Sequence, residues 1–312
     1  MKIVEVGPRD GLQNESAPIP TRVKIAFINA LSMTGVDEIE ASAFVSPRWV
    51  PQLSDAAEVF RGISRRKGVV YSALVPNEKG LDRALEAGVD KISVFTAASE
   101  TFNRKNINTG MEESIRRFRP VVERARAEGL PVRGYVSTAF WCAFEGRIAP
   151  QAVQRVVERL ADIGVEEFSI SDTIGKASPL EVKMLLEVLQ TRIPIEWIAV
   201  HFHDTYGRGM ENVRASLSCG VRIFDASAGG IGGCPYAPGA TGNVSTEAVV
   251  QALASEGEMA GVDLRKLREA SRLLSPHLMD ERRSLPKEGS PACATCSFST
   301  REVCCRQEPA PA

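Results

Sequence analysis

Apolar, β-branched runs alternate with amphipathic helical patterns eight times along this chain. That alternation predicts an α/β fold, a closed (β/α)8 barrel of the TIM type. Two further observations favour the barrel over a doubly wound open sheet. The first turn, Gly7-Pro8-Arg9-Asp10-Gly11, lacks the G-x-G-x-x-G spacing of a dinucleotide-binding sheet. The residues able to do chemistry also fall at the ends of the strand patterns, where barrels of this type place their active sites.

In order, the strand patterns lie at residues 3–6, 38–45, 69–75, 91–95, 132–137, 167–170, 198–203 and 223–228. Helical periodicity covers 22–34, 78–87, 111–128, 150–163, 179–190 and 209–218. Gly35, Gly88, Gly129, Gly164 and Gly220 follow these stretches as C-terminal caps. The barrel with a short helical extension is expected to occupy residues 1–285. From 286 to 312 the chain reads as a flexible tail, interrupted by Pro286, Pro291, Pro309 and Pro311. Its Cys293-x-x-Cys296 is followed by Cys304-Cys305, which lacks the second spacer of a zinc knuckle.

Composition removes several function classes. With 312 residues, 44% of them hydrophobic, the chain can bury a full core. Its formal net charge of −1 provides no basic field for nucleic acid or an anionic membrane. No apolar run approaches the ~20 residues of a membrane span, and no leader pattern precedes Lys2-Ile3-Val4. The expected compartment is the cytoplasm, in which Cys142, Cys219 and Cys234 stay reduced.

Two of the three histidines, His201 and His203, stand two apart at the end of the seventh strand pattern. Alternate side chains of a strand project together, so the pair forms half a metal site, or else caps the strand as two unrelated polar residues. Asp10 adds a carboxylate, and Asn243 in Gly242-Asn243-Val244 adds an amide oxygen. Hard oxygen with borderline nitrogen suits Mg²⁺, Mn²⁺ or Zn²⁺ with positions left open for substrate. Arg9 is placed either to neutralise an oxyanion or to form a surface ion pair. Glu40 and Asp172 read as proton-handling or supporting carboxylates, or as ion-pair partners at the barrel rim. After the eighth strand, the glycines at 229, 230, 232 and 233 suit a lid that closes over a ligand, with Cys234 inside it.

Six stretches carry a resemblance. They are Glu5-Val6-Gly7-Pro8-Arg9-Asp10-Gly11-Leu12-Gln13-Asn14-Glu15, Phe44-Val45-Ser46-Pro47-Arg48-Trp49, Lys105-Asn106-Ile107-Asn108, Arg133-Gly134-Tyr135-Val136-Ser137, His201-x-His203-Asp204-Thr205-Tyr206-Gly207 and Gly232-Gly233-Cys234-Pro235-Tyr236-Ala237. Together they resemble the motifs of the 3-hydroxy-3-methylglutaryl-CoA lyase family over about residues 2–280. The resemblance implies that Asp10, His201, His203 and Asn243 bind a divalent cation, Mg²⁺ or Mn²⁺. It implies a retro-Claisen cleavage of an acyl-CoA, started by proton loss to a group around Asp10, His201 or Asp172. Arg9 is then expected to steady the enolate and Cys234 to transfer a proton. Gln13, Glu40, Asn106, Tyr135, Trp141, Thr173 and Glu247 are expected around the substrate, and the enzyme is expected to be a homo-oligomer, a dimer or larger.

The chain departs from the family pattern where Trp141, Ala43, Ser16 and Ser171 replace a usual glycine, serine, lysine and glycine. These changes leave open a related acyl group, such as that of citramalyl-CoA. A synthase that condenses acetyl-CoA with a ketoacid would bring a further domain, for which the tail is too short. A non-catalytic metal-binding barrel is disfavoured by the complete set of Arg9, Asp10, His201, His203, Cys234 and Asn243.

Overall fold

The computed structural model describes residues 1–13, 15, 17–232 and 242–278. Eight parallel strands close into a barrel: β1 (Lys2–Glu5), β2 (Glu38–Ala43), β3 (Val70–Leu74), β4 (Lys91–Ala97), β5 (Val132–Ser137), β6 (Glu167–Asp172), β7 (Ile198–Phe202) and β8 (Ile223–Ala226). Each strand pairs with its sequence neighbours, and β8 pairs with β1 through Lys2↔Ile223 to Glu5↔Ala226. Among the described residues ten α-helices accompany them: α1 (Thr21–Leu31), α2 (Ala56–Gly62), α3 (Glu78–Glu86), α4 (Glu100–Ile107), α5 (Met111–Ala127), α6 (Pro150–Asp162), α7 (Pro179–Gln190), α8 (Gly209–Ser218), α9 (Thr246–Ser255) and α10 (Leu264–Arg272). The expected barrel is present. No helix among the described residues is long and apolar enough to cross a membrane.

The five expected capping glycines all have positive φ. At Gly35 the reason is also steric, because a Cβ there would run into the Gly261 carbonyl oxygen. Several elements were not evident from periodicity. The helices α2 and α4 are too short to show a full apolar stripe. The Trp141–Cys142/Gly146–Arg147 hairpin is only two residues to a side. Helix α7 starts on a capping box in which the Ser178 hydroxyl accepts from the Glu181 amide while the Glu181 carboxylate accepts from the Ser178 amide.

The strands are not the uniformly apolar runs that the sequence suggests, and the difference matters. Their outward faces are apolar: Ile39, Ile92, Val94, Phe168, Ile170, Val200, Phe202 and Phe224 are buried in one core with Phe27, Leu31, Leu160 and Leu185 of the helices. The alternate positions carry polar groups that meet across the lumen. Lys91 Nζ donates to Glu38 Oε2 at 2.9 Å and to Glu167 Oε1 at 2.5 Å, and Lys2 bridges the same two carboxylates at 2.8 and 3.0 Å. Higher up, Arg133 Nη2 reaches Asp225 Oδ1 at 2.5 Å, and Ser93 Oγ donates to Glu40 Oε1 at 2.6 Å. Lumen polarity was hidden because a helix-covered strand with alternating polarity reads like one that faces water.

Breaking one of these buried pairs leaves a buried carboxylate short of compensation, although Lys2 still bridges Glu38 and Glu167. Lys91→Met is expected to cost about 3–5 kcal/mol in urea unfolding. Adding Glu38→Gln to the same chain should recover part of that loss. If the two changes simply add, the pair does not act as a unit.

Candidate metal and active site

The C-terminal ends of β1, β7 and β8 converge, and the chain that leaves them is folded back by backbone hydrogen bonds. After β1 the carbonyl of Val6 accepts amide protons from Arg9 (3.2 Å), Asp10 (2.8 Å) and Gly11 (3.2 Å), closing a tight turn that carries Arg9 and Asp10 over the barrel mouth. The segment that begins at Gly242 docks on the ends of β7 and β8. Val244 donates its amide to Phe202, and Ser227 donates to Val244. Asn243 thereby lies opposite His203 in an isolated bridge.

Asp10, His201 and His203 offer ligand atoms that all lie within 4.8 Å of one another. His201 Nε2 faces His203 Nε2 at 3.3 Å and Asp10 Oδ2 at 3.8 Å. On its far side His201 Nδ1 lies 3.3 Å from Asp225 Oδ2. The buried His203 Nδ1 has no hydrogen-bond partner among the described residues. Two buried ring nitrogens turned toward one carboxylate fit the donor set of a divalent cation, with room for oxygen ligands from a substrate. Asn243 turns its Nδ2 rather than its oxygen to Asp10, at 3.0 Å, and also donates to the Ile231 carbonyl at 3.1 Å.

Beside this cluster Arg9 is aimed by two carboxylates, with Nε 2.5 Å from Glu40 Oε2 and Nη1 2.6 Å from Asp10 Oδ1. Tyr135 donates its hydroxyl to Glu40 Oε2 at 3.0 Å, and the Arg9 guanidinium stacks 5.0 Å from the Tyr135 ring centre. Burial, and after it the charge of Glu40, pushes the Tyr135 hydroxyl well above its ordinary pKa, so it remains a donor. Burial also works against an ionised Asp10. The Arg9 guanidinium, then His201 and His203, outweigh it and hold that carboxyl well below the carboxylate range. For His203, burial and then His201 pull the imidazole down to about 4 against the attraction of Asp10, so its ring is neutral near pH 7 and keeps a lone pair to offer.

The remaining candidates take less direct places. Asp172 is lifted to about 6 by burial, yet both its oxygens accept loop amides, from Lys176 at 3.1 Å and Ala177 at 2.8 Å. Thr173 Oγ1 accepts the amide of Thr138 at 2.8 Å. That bond holds a β-branched residue at φ 52°, the bend that leads from β5 into the Trp141 hairpin. Trp141 is half-buried, with Lys176 Nζ 4.0 Å from its ring centre. Glu247 accepts the Gly229 amide at 2.9 Å and so anchors the start of the glycine stretch. Gln13 is half-buried just after the Arg9–Asp10 turn, and Asn106 is exposed near the end of α4. Cys234, Ser16 and the cysteine-bearing tail lie outside the described residues.

Sequence reading missed Asp225, Arg133, Ser93 and Ser169, which support the cluster from below. Their signal was a pair of polar residues two apart on an otherwise apolar strand: Lys91 and Ser93, Arg133 and Tyr135, Glu167 and Ser169, Asp225 and Ser227. Also unforeseen was Glu5, completely buried and raised to about 8 by that burial. It accepts from the Gly7 amide (2.9 Å), the Ala228 amide (2.9 Å) and the Thr246 hydroxyl (2.7 Å), tying the Arg9–Asp10 turn to the exit of β8 and the start of α9.

A family model described as HMGL-like matches residues 1–274. The chain is 51% identical over 270 residues to the cytoplasmic 3-hydroxy-3-methylglutaryl-CoA lyase of Rattus norvegicus, covering 86% of this chain and 79% of that one. The solved HMG-CoA lyase of Brucella melitensis superposes with a TM-score of 0.87 at 49% identity, covering 91% of this chain and 99% of that one. An HMG-CoA lyase of Acinetobacter baumannii, solved with coenzyme A and 3-methylmalate, superposes at 0.84 with 40% identity, covering 88% and 90%.

The neutral His203 sets a pH dependence. Unfolded, it takes up a proton near 6.5, whereas in the folded chain it does so only at about 4. Between those values the unfolded state binds more protons, so this contribution is complete above pH 6.5 and is lost as pH falls toward 4. The urea midpoint of the metal-free protein should therefore drop across that window, and His203→Gln should flatten the drop. An unchanged slope in the variant would trace the loss to other groups.

Proposed function

The chain belongs to the HMGL-like family, and from that premise we propose that it cleaves 3-hydroxy-3-methylglutaryl-CoA to acetyl-CoA and acetoacetate. The observation that carries the reading is the meeting of Asp10, His201 and His203 with the Arg9–Glu40 pair at one end of the barrel. The Rattus norvegicus and Brucella melitensis proteins bear the name of that activity, and the Acinetobacter baumannii structure holds coenzyme A.

The family is metal-dependent, and we assign the cation as Mg²⁺ or Mn²⁺, held by Asp10, His201 and His203, with Asn243 as a further ligand once its amide turns its oxygen in place of the nitrogen that faces Asp10. When bound, it supplies the Lewis acidity that eases deprotonation of the substrate's tertiary hydroxyl. That proton passes to a group around Asp10, His201 or Asp172. The C2–C3 bond then breaks, C3 becomes the ketone of acetoacetate, and the electron pair moves to C2 as the enolate of the thioester. Arg9 faces the developing charge on the enolate oxygen. Its guanidinium is fixed in advance by Glu40 and Asp10, so little reorganisation is needed as charge forms. Cys234 is assigned the return of a proton to C2, which completes acetyl-CoA. Tyr135, Gln13, Asn106, Thr173 and Glu247 are proposed to shape the acyl-CoA site directly or through the loops they hold.

We place the enzyme in the cytoplasm, where the Rattus norvegicus relative is named, and read residues 286–312 as a tail outside the barrel domain. Self-association is proposed as well. Leu180 and Met184, exposed one turn apart on α7, are the apolar surface that supports it.

Incubation of the purified chain with 3-hydroxy-3-methylglutaryl-CoA and Mg²⁺ or Mn²⁺ should release acetyl-CoA and acetoacetate in equal amounts, and dialysis against a strong chelator should abolish the release. Full activity in chelator would sink the metal assignment. Arg9→Lys should fold normally and lose at least about a hundredfold in turnover, because an ammonium cannot reproduce the planar fork. A variant within about threefold of wild type would reduce Arg9 to an ion-pair residue.

Trp141 tests the acyl group. Trp141→Gly should change the ratio of kcat/KM for 3-hydroxy-3-methylglutaryl-CoA and a bulkier 3-alkyl analogue by about tenfold or more, equivalent to ~1.4 kcal/mol of differential contact. An unchanged ratio would leave the indole a packing role beneath Lys176.

A further inference from the structure

We propose that Asp225 is the positioning residue that fixes the tautomer of His201, so that Nδ1 carries the hydrogen and Nε2 presents its lone pair to Asp10 and His203. The inference deepens the metal reading given above and rests on it.

Asp225 and His201 are register partners on adjacent strands, so their side chains share the lumen face. The Asp225 carboxylate is 3% exposed and is met from three directions. Arg133 Nη2 donates to Oδ1 at 2.5 Å, Ser169 Oγ donates to Oδ2 at 2.7 Å, and His201 Nδ1 lies 3.3 Å from Oδ2. Arg133 is itself 1% exposed and remains charged, which keeps its partner Asp225 ionised. An ionised carboxylate accepts and cannot donate. The hydrogen between His201 and Asp225 must therefore sit on Nδ1. In the neutral form that can bind a cation, the ring has only one N–H, so Nε2 is left with a lone pair on the side where Asp10 and His203 stand. His203 lacks such an arrangement, since its buried Nδ1 has no partner among the described residues. The asymmetry makes His201 the ring that is set before any cation arrives.

A purely structural role, with Asp225 serving only as the counterion of Arg133, leaves the tautomer free. The two roles separate by ¹⁵N NMR of the metal-free protein labelled in its imidazoles. The chain has three histidines, and His203→Gln and His277→Gln assign their signals. In the wild type, His201 should show a protonated Nδ1 and an unprotonated Nε2. In Asp225→Asn, whose amide can donate to Nδ1, the pattern should reverse or become mixed, and Mn²⁺ affinity by calorimetry should fall about 10–100-fold with circular dichroism unchanged. Should that variant fail to fold, Ser169→Ala serves instead. It keeps the Arg133 pair and removes a competing donor from Oδ2, so His201 must retain the Nδ1–H form. A wild-type His201 protonated at Nε2, or an Asp225→Asn protein with wild-type tautomer and Mn²⁺ affinity, overturns the proposal. Wild-type protein that binds no Mn²⁺ defeats the metal reading instead, and the NMR pattern still decides the role of Asp225.

Discussion

A barrel whose lumen carries Lys2, Glu38, Lys91, Glu167, Arg133 and Asp225 can close only when each of those charges meets its opposite. They do so in rungs: Lys2 and Lys91 between Glu38 and Glu167 at the lower end, then Arg133 against Asp225. Such pairs contribute little net stability, because the desolvation of each ion offsets most of its attraction to the other. Their effect is on register. Sliding a strand that carries one of them by one residue would put its charge into the layer occupied by Ile92, Phe168 and Phe224, and apolar residues into its place in the lumen. The observed pairing satisfies both layers.

The same column sets the chemistry at its upper end. Glu40 accepts from Ser93 below and from Tyr135 and Arg9 above, so the guanidinium that faces substrate stands on groups already locked in the lumen. Tyr135 is held between two guanidinium groups, Arg9 and Arg133, each 5.0 Å from its ring centre. Reactive side chains borne on strands and backed by paired charges keep their geometry without help from the substrate.

Loops supply the rest, and carboxylates hold them, Glu5 and Asp172 fully buried and Glu247 half-buried. Glu5 ties together three chain segments at the barrel mouth, Asp172 gathers the amides at 176 and 177, and Glu247 takes the amide of Gly229. Glutamate and aspartate in such positions serve as acceptors for backbone donors that have no strand or helix to satisfy them. Their raised affinity for protons, as at Glu5 and Asp172, follows from burial without a cation beside them.

The alternation of strands and helices, the capping glycines and the i, i+2 spacing of His201 and His203 were all legible in the sequence, because each depends on local geometry that repeats along the chain. Arg9, Asp10, His201, His203, Glu40 and Tyr135 were legible as a set once their motifs were compared with a family, and the fold brings them together. What the sequence could not disclose was direction. Nothing local tells whether the polar face of a strand looks into a lumen or toward water, so Arg133, Ser169 and Asp225 passed as ordinary strand residues. Nor could it disclose that Asp172 and Glu247 spend their oxygens on backbone amides, or that Asn243 turns its nitrogen to Asp10. At Asp172 the donors lie only four and five residues on, but the loop that aims them is shaped by its surroundings, and the other outcomes depend on groups that arrive from distant strands and loops. Closure of the barrel settles them, since only there do buried donors and acceptors have to be matched one to one.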